Sequence, residues 1–241
     1  MTISPRTGAA RTAALGGGVI FAASLLYGAW AYGRRYGVVA DASTDATTAA
    51  LINVGLFSAF ALHHSVLARS GIKQRLARVI PPAVERTAYV WIASVLFIVV
   101  CAAWQPVPGT VWLVTGPATW LLLAIQVGGV LIAIGAGRVI DVFELAGVRE
   151  ALGRPVRERN SDTPTARGPF GFVRHPLYLA FLLAVWPMPL MTGTRFVFAL
   201  VSTVYVLIAI PMEERDLRRT FGRGYEDYSS RVRYRLVPGV Y

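Results

Sequence analysis

Six long apolar runs constrain the fold of this 241-residue chain more than any other feature of its sequence. The runs cover residues 12–32, 49–68, 87–104, 118–137, 176–192 and 196–212. A helix needs about 20 apolar residues to cross the hydrocarbon core of a bilayer. Hydrophobic residues make up 55% of the chain and charged residues only 15%. The sequence therefore predicts an all-α fold, a polytopic transmembrane bundle of about six spans without a large soluble domain.

The last two runs are short, and Pro187 and Pro189 interrupt them. We predict a helical hairpin whose tip lies near Thr192-Gly193-Thr194, with a single tilted, broken element as the alternative. The chain is interpreted as one integrated domain with two regions. Residues 1–137 form a four-span membrane region, and residues 138–241 form a region with a cytosolic segment, the hairpin and an amphipathic tail.

The basic residues are distributed unevenly between the two sides of the predicted bundle. With the N-terminus in the cytoplasm, the outer loops keep only Arg34, Arg35 and Arg195, and the other 21 of the 24 basic residues lie inside. The positive-inside rule then predicts that both termini are cytoplasmic. We expect the membrane to be a bacterial inner (plasma) membrane. The net charge of +11 fits anionic lipids better than nucleic acid, because the arginines flank apolar helices. Ala29-Trp30-Ala31 resembles a signal cleavage site, but the first run is too long for a typical signal core.

Two cytoplasmic segments have an amphipathic pattern, residues 138–152 and the tail. In the tail, apolar positions recur at spacings of 4, 4, 3 and 4, which places them on one face of a predicted helix. These positions are Leu217, Phe221, Tyr225, Tyr228 and Val232. Such a helix can rest on lipid headgroups, cover a site at the membrane surface, or do both.

The motif Arg174-His175-Pro176 combines a full positive charge, an imidazole and a proline at the start of an apolar run. Proline fits the first position of a helix, so a helix N-terminus is predicted immediately after His175. Free backbone N–H groups at such an end attract anions, and Arg174 adds its charge. The motif favours a ligand with a carboxylate or phosphate. The alternative is a membrane anchor at Arg174 and a capping residue at His175.

Two adjacent carboxylates, Glu213 and Glu214, follow the last apolar run. A carboxylate at the end of a spanning helix must reach water, a cation or a ligand. Glu214 can form an i,i+4 ion pair with Arg218. Glu213 shares the apolar face of the predicted tail helix with Leu217, so we expect Glu213 to point toward whatever that face covers. A sulfonium or an amine would be complemented there.

Histidines are few, and they do not predict a metal site. His63 and His64 are adjacent and therefore about 100° apart on a helix, which prevents them from readily sharing one ion. His175 is the third histidine, and the sequence has a single cysteine, Cys101. His64 can assist a proton transfer, or it can be a helix-end histidine bonded to a neighbour. We expect no metal.

The C-terminal region carries an ordered set of motifs. They are Gly168, Phe170, Arg174-His175-Pro176-Leu177-Tyr178, Glu213-Glu214-Arg215-Asp216-Leu217, Phe221-Gly222, Tyr225, Tyr228 and Pro238. This set resembles the isoprenylcysteine carboxyl methyltransferase-like membrane proteins. His63-His64-Ser65, Glu85-Arg86-Thr87-Ala88-Tyr89 and the segment 104–112 are similar to the methanethiol S-methyltransferase branch, which is itself similar to NnrU proteins. The chain departs from the branch at His63, where a glutamine is expected, and at Arg233-Tyr234-Arg235.

The resemblance implies S-adenosyl-L-methionine as the methyl donor, bound at the cytosolic face. The implied donor-binding residues are Gly168, Phe170, Arg174, His175, Pro176, Tyr178, Leu179, Glu213, Glu214, Tyr225 and Tyr228. The chemistry of the residues agrees in kind, because Arg174 can bind the donor carboxylate and Glu213 or Glu214 the amine or sulfonium. The aromatic rings can stack on adenine or face the sulfonium.

The resulting hypothesis is an integral membrane S-methyltransferase that acts on a small apolar thiol, for example converting methanethiol to dimethyl sulfide. His64, His175 or Glu214 would help to remove the thiol proton. Two alternatives stay open: carboxyl methylation of an isoprenylcysteine or other lipid-borne acceptor, and a non-catalytic NnrU-like membrane protein. The expected partners are the thiol and membrane lipids, without nucleic acid, and the oligomeric state is left open.

Overall fold

A computed structural model of the chain describes residues 8–41, 45–68, 71–72, 75, 78–79, 82–140, 148, 164 and 166–241. Within these ranges, five helices are long and apolar enough to cross a membrane, judged by length and composition. They are α1 (Gly8–Trp30), α2 (Ala46–Ala68), α3 (Pro82–Ala103), α4 (Pro117–Ile140) and α6 (Gly193–Phe221). Two shorter helices are α5 (Pro176–Val185) and α7 (Arg223–Arg231). The predicted all-α, polytopic helical membrane bundle is confirmed.

The chain divides into two compact units. The first consists of Met1–Ala31, Ser58–Trp104 and Asp141–Glu158, and the second of Tyr32–Phe57, Gln105–Ile140 and Arg159–Tyr241. Each unit therefore combines segments from both halves of the chain. The functional division at residue 137 stays a prediction. The amphipathic pattern predicted for residues 138–152 falls largely outside the described residues, although α4 includes its first three positions.

In the first unit, glycines on α1 allow close packing against α3. A Cβ atom at Gly16 would lie only 2.9 Å from the Trp91 ring, and one at Gly17 would lie 3.3 Å from it. The indole Nε1 of Trp91 donates a hydrogen bond to the carbonyl of Ala13 at 2.9 Å. Small residues at this contact let the two apolar helices approach, as is typical of membrane bundles.

In the second unit, α4 packs along α5, and Gly129 is the residue that permits their close approach. A Cβ atom at Gly129 would lie 2.9 Å from both the carbonyl oxygen of Ala180 and the Cβ of Leu183. Helix α5 begins at Pro176, so the predicted helix start after His175 is confirmed. His175 therefore lies immediately before the first turn of α5, at its N-cap position.

The predicted hairpin needs two corrections. The apolar run at residues 176–192 was predicted to be one helical arm of the hairpin, but its helix, α5, contains only 10 residues. A helix of that length is about 15 Å long, so it covers only part of a bilayer crossing and residues 186–192 complete the run. The tip occupies residues 186–192 rather than lying at 192–194, because Pro187 and Pro189 cannot continue a helix. There, β2 (Leu190–Thr192) pairs antiparallel with β1 (Thr110–Leu113).

Helix α6 and the tail also differ from the prediction. Helix α6 continues past Pro211 and both glutamates to Phe221, and Gly222, with a φ of +51°, separates it from α7. The single amphipathic tail helix predicted from the spacing is therefore wrong. Its five apolar positions still meet in one cluster, in which Tyr225, Tyr228 and Val232 are buried against Leu217 and Phe221.

Residues 232–241, called here the C-terminal strap, return across the start of α5. Backbone N–H groups of Arg174 and His175 donate to the carbonyls of Tyr234 and Arg235, both at 2.9 Å. Leu236 anchors the strap by packing on a buried cluster with Val206 and Ile210 of α6. The strap therefore holds the backbone of the arginine–histidine motif through two main-chain hydrogen bonds.

Candidate active site

The glutamate at the centre of the site is Glu214, which is fully buried. Its Oε1 accepts a hydrogen bond from Arg174 Nε at 2.7 Å, and its Oε2 accepts one from Arg235 Nε at 3.1 Å. Arg218 Nη2 lies 3.4 Å from Oε2, so the predicted i,i+4 pair is present. A buried carboxylate needs such partners because an unpaired charge without water is strongly disfavoured. We refer to Glu214, Arg174, His175, Arg218 and Arg235 as the Glu214 cluster.

The two glutamates differ in burial in the opposite sense to the one that their spacing predicts: Glu214 is buried and Glu213 is exposed. Glu213 was expected to point under the covering face, but its side chain is 47% exposed whereas that of Glu214 is 0% exposed. The face that contains Glu214 is buried because α6 continues without a break and because Arg235 of the strap binds Glu214. Glu213 remains near the cluster, since its Oε2 lies 3.6 Å from His175 Nδ1.

His175 occupies the N-cap position of α5, but its side chain forms no capping hydrogen bond. The ring is instead directed to the glutamates, with Nε2 3.5 Å from Glu214 Oε1, and it stacks on Tyr178 at 5.7 Å between centroids. Burial alone would lower the pKa of His175. The contacts and negative charges of Glu213 and Glu214 outweigh burial and raise that pKa above its usual range.

Arg174 is fixed by three acceptors rather than pointing into solvent. In addition to Glu214, its Nη1 donates to the carbonyls of Val232 and Arg233 at 2.8 and 2.7 Å. The side chain is 8% exposed. A guanidinium that is held this firmly is preorganised, so a ligand can bind it without the entropy cost of ordering the side chain.

A short 3-10 helix, Gly168–Gly171, brings Phe170 to the aromatic pair of α7. Gly168 has a φ of +56°, a conformation that favours glycine. Tyr228 Oη donates to the carbonyl of Phe170 at 2.9 Å, and the rings of Tyr225 and Tyr228 lie 5.9 Å apart. Burial raises the pKa of Tyr228 to about 12, so its hydroxyl stays protonated and can donate this hydrogen bond.

Two buried polar atoms of this region have no hydrogen-bond partner within the part of the chain that the structure describes. They are Nε2 of His175 and Oη of Tyr225. Burial, followed by the negative charge of Glu214, raises the pKa of Tyr225. Buried polar groups are nearly always hydrogen-bonded in folded proteins, and exceptions often mark a place where a ligand or water completes the set.

The remaining predicted donor-binding residues lie at the first turn of α5. The N–H of Leu179 donates to the carbonyl of His175 at 3.1 Å. Tyr178 and Leu179 both pack on the cluster of Val206, Ile210 and Leu236. All predicted residues from Gly168 to Tyr228 therefore belong to the second unit.

His64 belongs to the first unit, on α2. Its Nδ1 lies 2.9 Å from Tyr89 Oη, and its ring stacks on Phe60 at 5.5 Å. A helix-end histidine bonded to a neighbour is thus present, and the catalytic role suggested for His64 stays a prediction. Among the residues that the structure describes, no group of three or more histidine, cysteine, aspartate or glutamate side chains is arranged to hold a metal ion.

Sequence reasoning missed Arg235. It was noted only as a departure from the expected ending of the chain, and no local pattern connects it with Glu214, which lies 21 residues earlier. The contact depends on the break at Gly222 and on the path of the strap, neither of which follows from helical periodicity.

Comparison with known proteins gives consistent results. Residues 123–224 match the model of a family described as phospholipid methyltransferase. The chain is 40% identical over 202 residues to methanethiol S-methyltransferase 2 of Bradyrhizobium diazoefficiens, covering 82% of this chain and 76% of that protein. It is 34% identical over 229 residues to the methanethiol S-methyltransferase of Mycobacterium tuberculosis, with 88% and 91% covered. Nurim of Bos taurus is 28% identical over 179 residues, with 69% and 67% covered. No solved structure matches the chain.

Proposed function

Since this chain belongs to the methanethiol S-methyltransferase family of membrane methyltransferases, we propose that it methylates the sulfur of a small apolar thiol. The specific reaction is the conversion of methanethiol to dimethyl sulfide. The observation that carries this proposal is the Glu214 cluster, in which the arginine–histidine and glutamate motifs meet around one buried carboxylate. Relatives that are 34% to 40% identical to this chain bear the name of this activity.

We propose S-adenosyl-L-methionine as the methyl donor. The donor carries a carboxylate, an amine and a sulfonium, and the site offers groups of both signs. Three guanidinium groups face the single carboxylate of Glu214, so the cluster retains a surplus of positive charge that can attract the carboxylate of the donor. The more exposed carboxylate of Glu213 suits the amine or the sulfonium. The unsatisfied Nε2 of His175 and Oη of Tyr225 are available for further hydrogen bonds.

Gly168, Phe170 and Tyr228 form the neighbouring wall of the proposed donor site. The aromatic faces of Phe170, Tyr225 and Tyr228 suit a purine ring or a sulfonium. Pro176, Tyr178 and Leu179 support His175 from the first turn of α5.

The residues of the cluster have separate roles in the proposed reaction. When bound, S-adenosyl-L-methionine would supply an electrophilic methyl group to the sulfur of the deprotonated thiol, with S-adenosyl-L-homocysteine as the leaving group. Glu214 holds Arg174 and His175 in place rather than accepting the thiol proton, because guanidinium groups already bind both of its carboxylate oxygens. His175 in its neutral form accepts the thiol proton through Nε2, which has no hydrogen-bond partner among the described residues. The two glutamates that raise the pKa of His175 stabilise the imidazolium that results. His64 is the second candidate for this proton transfer.

We place the site at the cytosolic face of a bacterial plasma membrane, with both termini in the cytoplasm. The distribution of basic residues supports this orientation, because only three of the 24 then lie outside. A small apolar thiol partitions into lipid, which gives a reason for a membrane-bound catalyst.

A lipid-borne acceptor is the second candidate function, favoured by the match of residues 123–224 to the phospholipid methyltransferase model. Carboxyl methylation of an isoprenylcysteine belongs to this class. A carboxylate acceptor needs no proton removed, so substitution of His175 would affect it less.

A panel of acceptors separates these possibilities. Purified protein in detergent receives methyl-labelled S-adenosyl-L-methionine together with methanethiol, a farnesylcysteine analogue or phosphatidylethanolamine. We expect label in dimethyl sulfide, measured in the headspace, and its loss in Arg174→Gln. The control Arg219→Gln changes an arginine whose side chain is 71% exposed and retains activity. If only the farnesylcysteine or the phospholipid product carries label, the acceptor is lipid-borne and the thiol proposal is contradicted. If no acceptor carries label, the result favours a non-catalytic membrane protein.

A further inference from the structure

We propose that Arg235 is a positioning residue of the donor site, which holds Glu214 in the orientation from which Glu214 fixes Arg174 and His175. This inference rests on the proposed function and deepens it, because it adds a residue from the C-terminal strap to the donor site. Arg235 would act through Glu214 rather than through contact with the donor.

The two oxygens of Glu214 are divided between two guanidinium groups from different parts of the chain. Arg174, before α5, binds Oε1 at 2.7 Å, and Arg235, from the strap, binds Oε2 at 3.1 Å. Rotation of the carboxylate would break both contacts, so the pair fixes its plane. Arg218 is a weaker partner, because its contact with Oε2 is 3.4 Å and its side chain is 48% exposed.

Arg235 is itself held in place on two sides. Its guanidinium lies 5.2 Å from the centroid of the Tyr241 ring, and its Nη1 donates to Tyr241 Oη at 3.3 Å. Its backbone carbonyl accepts the hydrogen bond from the N–H of His175 at 2.9 Å. One residue of the strap therefore contacts both motifs of the site, the histidine through its main chain and the glutamate through its side chain.

The charge of Arg235 also affects His175. The charged groups in contact with the imidazole are Glu213 and Glu214 from α6, and Glu214 is itself bound by Arg174 and by Arg235 of the strap. Without Arg235, the negative charge of Glu214 is less compensated, so protonation of His175 becomes more favourable. A residue that only stabilised the fold would not change the titration of His175 in this way.

The test compares Arg235→Gln with Arg218→Gln and with the surface control Arg219→Gln. Histidine-labelled, donor-free protein in detergent is titrated by NMR, with His175 assigned from a His175→Gln sample. Binding of S-adenosyl-L-methionine is measured by calorimetry. We expect Arg235→Gln to raise the titration midpoint of His175 and to weaken donor binding about tenfold, because Arg174 and His175 must then be ordered when the donor binds. Arg218→Gln has a smaller effect on both quantities, and Arg219→Gln has none.

The lysine variants keep the test decisive if Arg235→Gln fails to fold, which its thermal unfolding reveals. Arg235→Lys retains the charge but loses the guanidinium geometry, so it leaves the His175 midpoint unchanged and weakens donor binding less than the glutamine variant. Arg218→Lys binds the donor more tightly than Arg235→Lys does. Equal donor binding by these lysine variants would overturn the proposal, as would an unmoved His175 midpoint in a folded Arg235→Gln.

Failure of the proposed function has a different outcome. Wild-type protein that takes up no S-adenosyl-L-methionine contradicts the donor assignment, whereas the NMR titration needs no donor. The His175 midpoint therefore still decides whether Arg235 acts on the cluster.

Discussion

Glu214→Gln is the substitution whose effect on stability follows most directly from the structure. Glutamine keeps the shape of the side chain but removes the charge that Arg174, Arg218 and Arg235 face. The side chain of Arg174 is only 8% exposed, so its charge would be left buried without a carboxylate. Removing one partner of a buried ion pair costs about 3–5 kcal/mol. The amide retains one acceptor oxygen, so we expect the free energy of unfolding to fall by about 3 kcal/mol.

The neighbouring substitution Glu213→Gln is the matched control. It removes the same charge one residue earlier on α6, but the side chain of Glu213 is 47% exposed and lies 3.6 Å from His175 Nδ1. Solvent screens such a pair, and we expect a loss below about 1 kcal/mol.

Thermal unfolding in one detergent, followed by far-ultraviolet circular dichroism, measures both variants. In a chain of this length, 1 kcal/mol corresponds to about 2–4 °C in Tm, so Glu214→Gln should unfold about 6–12 °C below wild type. The Tm of Glu213→Gln should fall by less than about 4 °C. Equal shifts in the two variants, or a larger shift in Glu213→Gln, would refute the assignment of the buried charge to Glu214.

Three further predictions concern single contacts of the site. Tyr228→Phe removes the hydrogen bond to the Phe170 carbonyl, and we expect a loss of about 1 kcal/mol in a denaturant titration; an unchanged midpoint contradicts that contact. Gly222→Ala forces a side chain into a φ of +51° and should cost about 1–3 kcal/mol by the same titration, whereas no loss would mean that α6 and α7 join differently. By NMR, His175 should titrate above its ordinary value of about 6.5, and the midpoint should fall in Glu213→Gln. Because the folded-state pKa of His175 is raised, the stabilisation that protonated His175 provides is present below about pH 6.5 and is lost as the pH rises through that pKa. A titration midpoint below the ordinary value would reverse the predicted dependence of stability on pH.

Features that depend on neighbouring residues could be predicted from the sequence. Pro176 starts α5 because a proline without an N–H fits the first position of a helix. Glu214 pairs with Arg218 because they are four residues apart on one helix. Five of the six apolar runs correspond to the five long helices because length and composition determine whether a helix can span a bilayer.

Features that depend on distant parts of the chain could not be predicted. The 10 residues of α5 end before the proline pair, and the strand Leu190–Thr192 that follows is stabilised by pairing with residues 77 to 82 positions earlier. The burial of Glu214 rather than Glu213 depends on Arg235, which reaches the site only because the chain turns at Gly222. Phe221-Gly222 carries a local signal for that turn, since glycine commonly follows the end of a helix, but the regular spacing of apolar residues favoured one continuous helix.

Calorimetric titration of purified protein with S-adenosyl-L-methionine tests most directly whether the Glu214 cluster is a methyl-donor site. The account predicts that wild-type protein and Arg219→Gln bind the donor equally, and that Arg174→Ala binds it much more weakly. Absence of binding by the wild type, or equal binding by Arg174→Ala in a sample that remains folded, would contradict it.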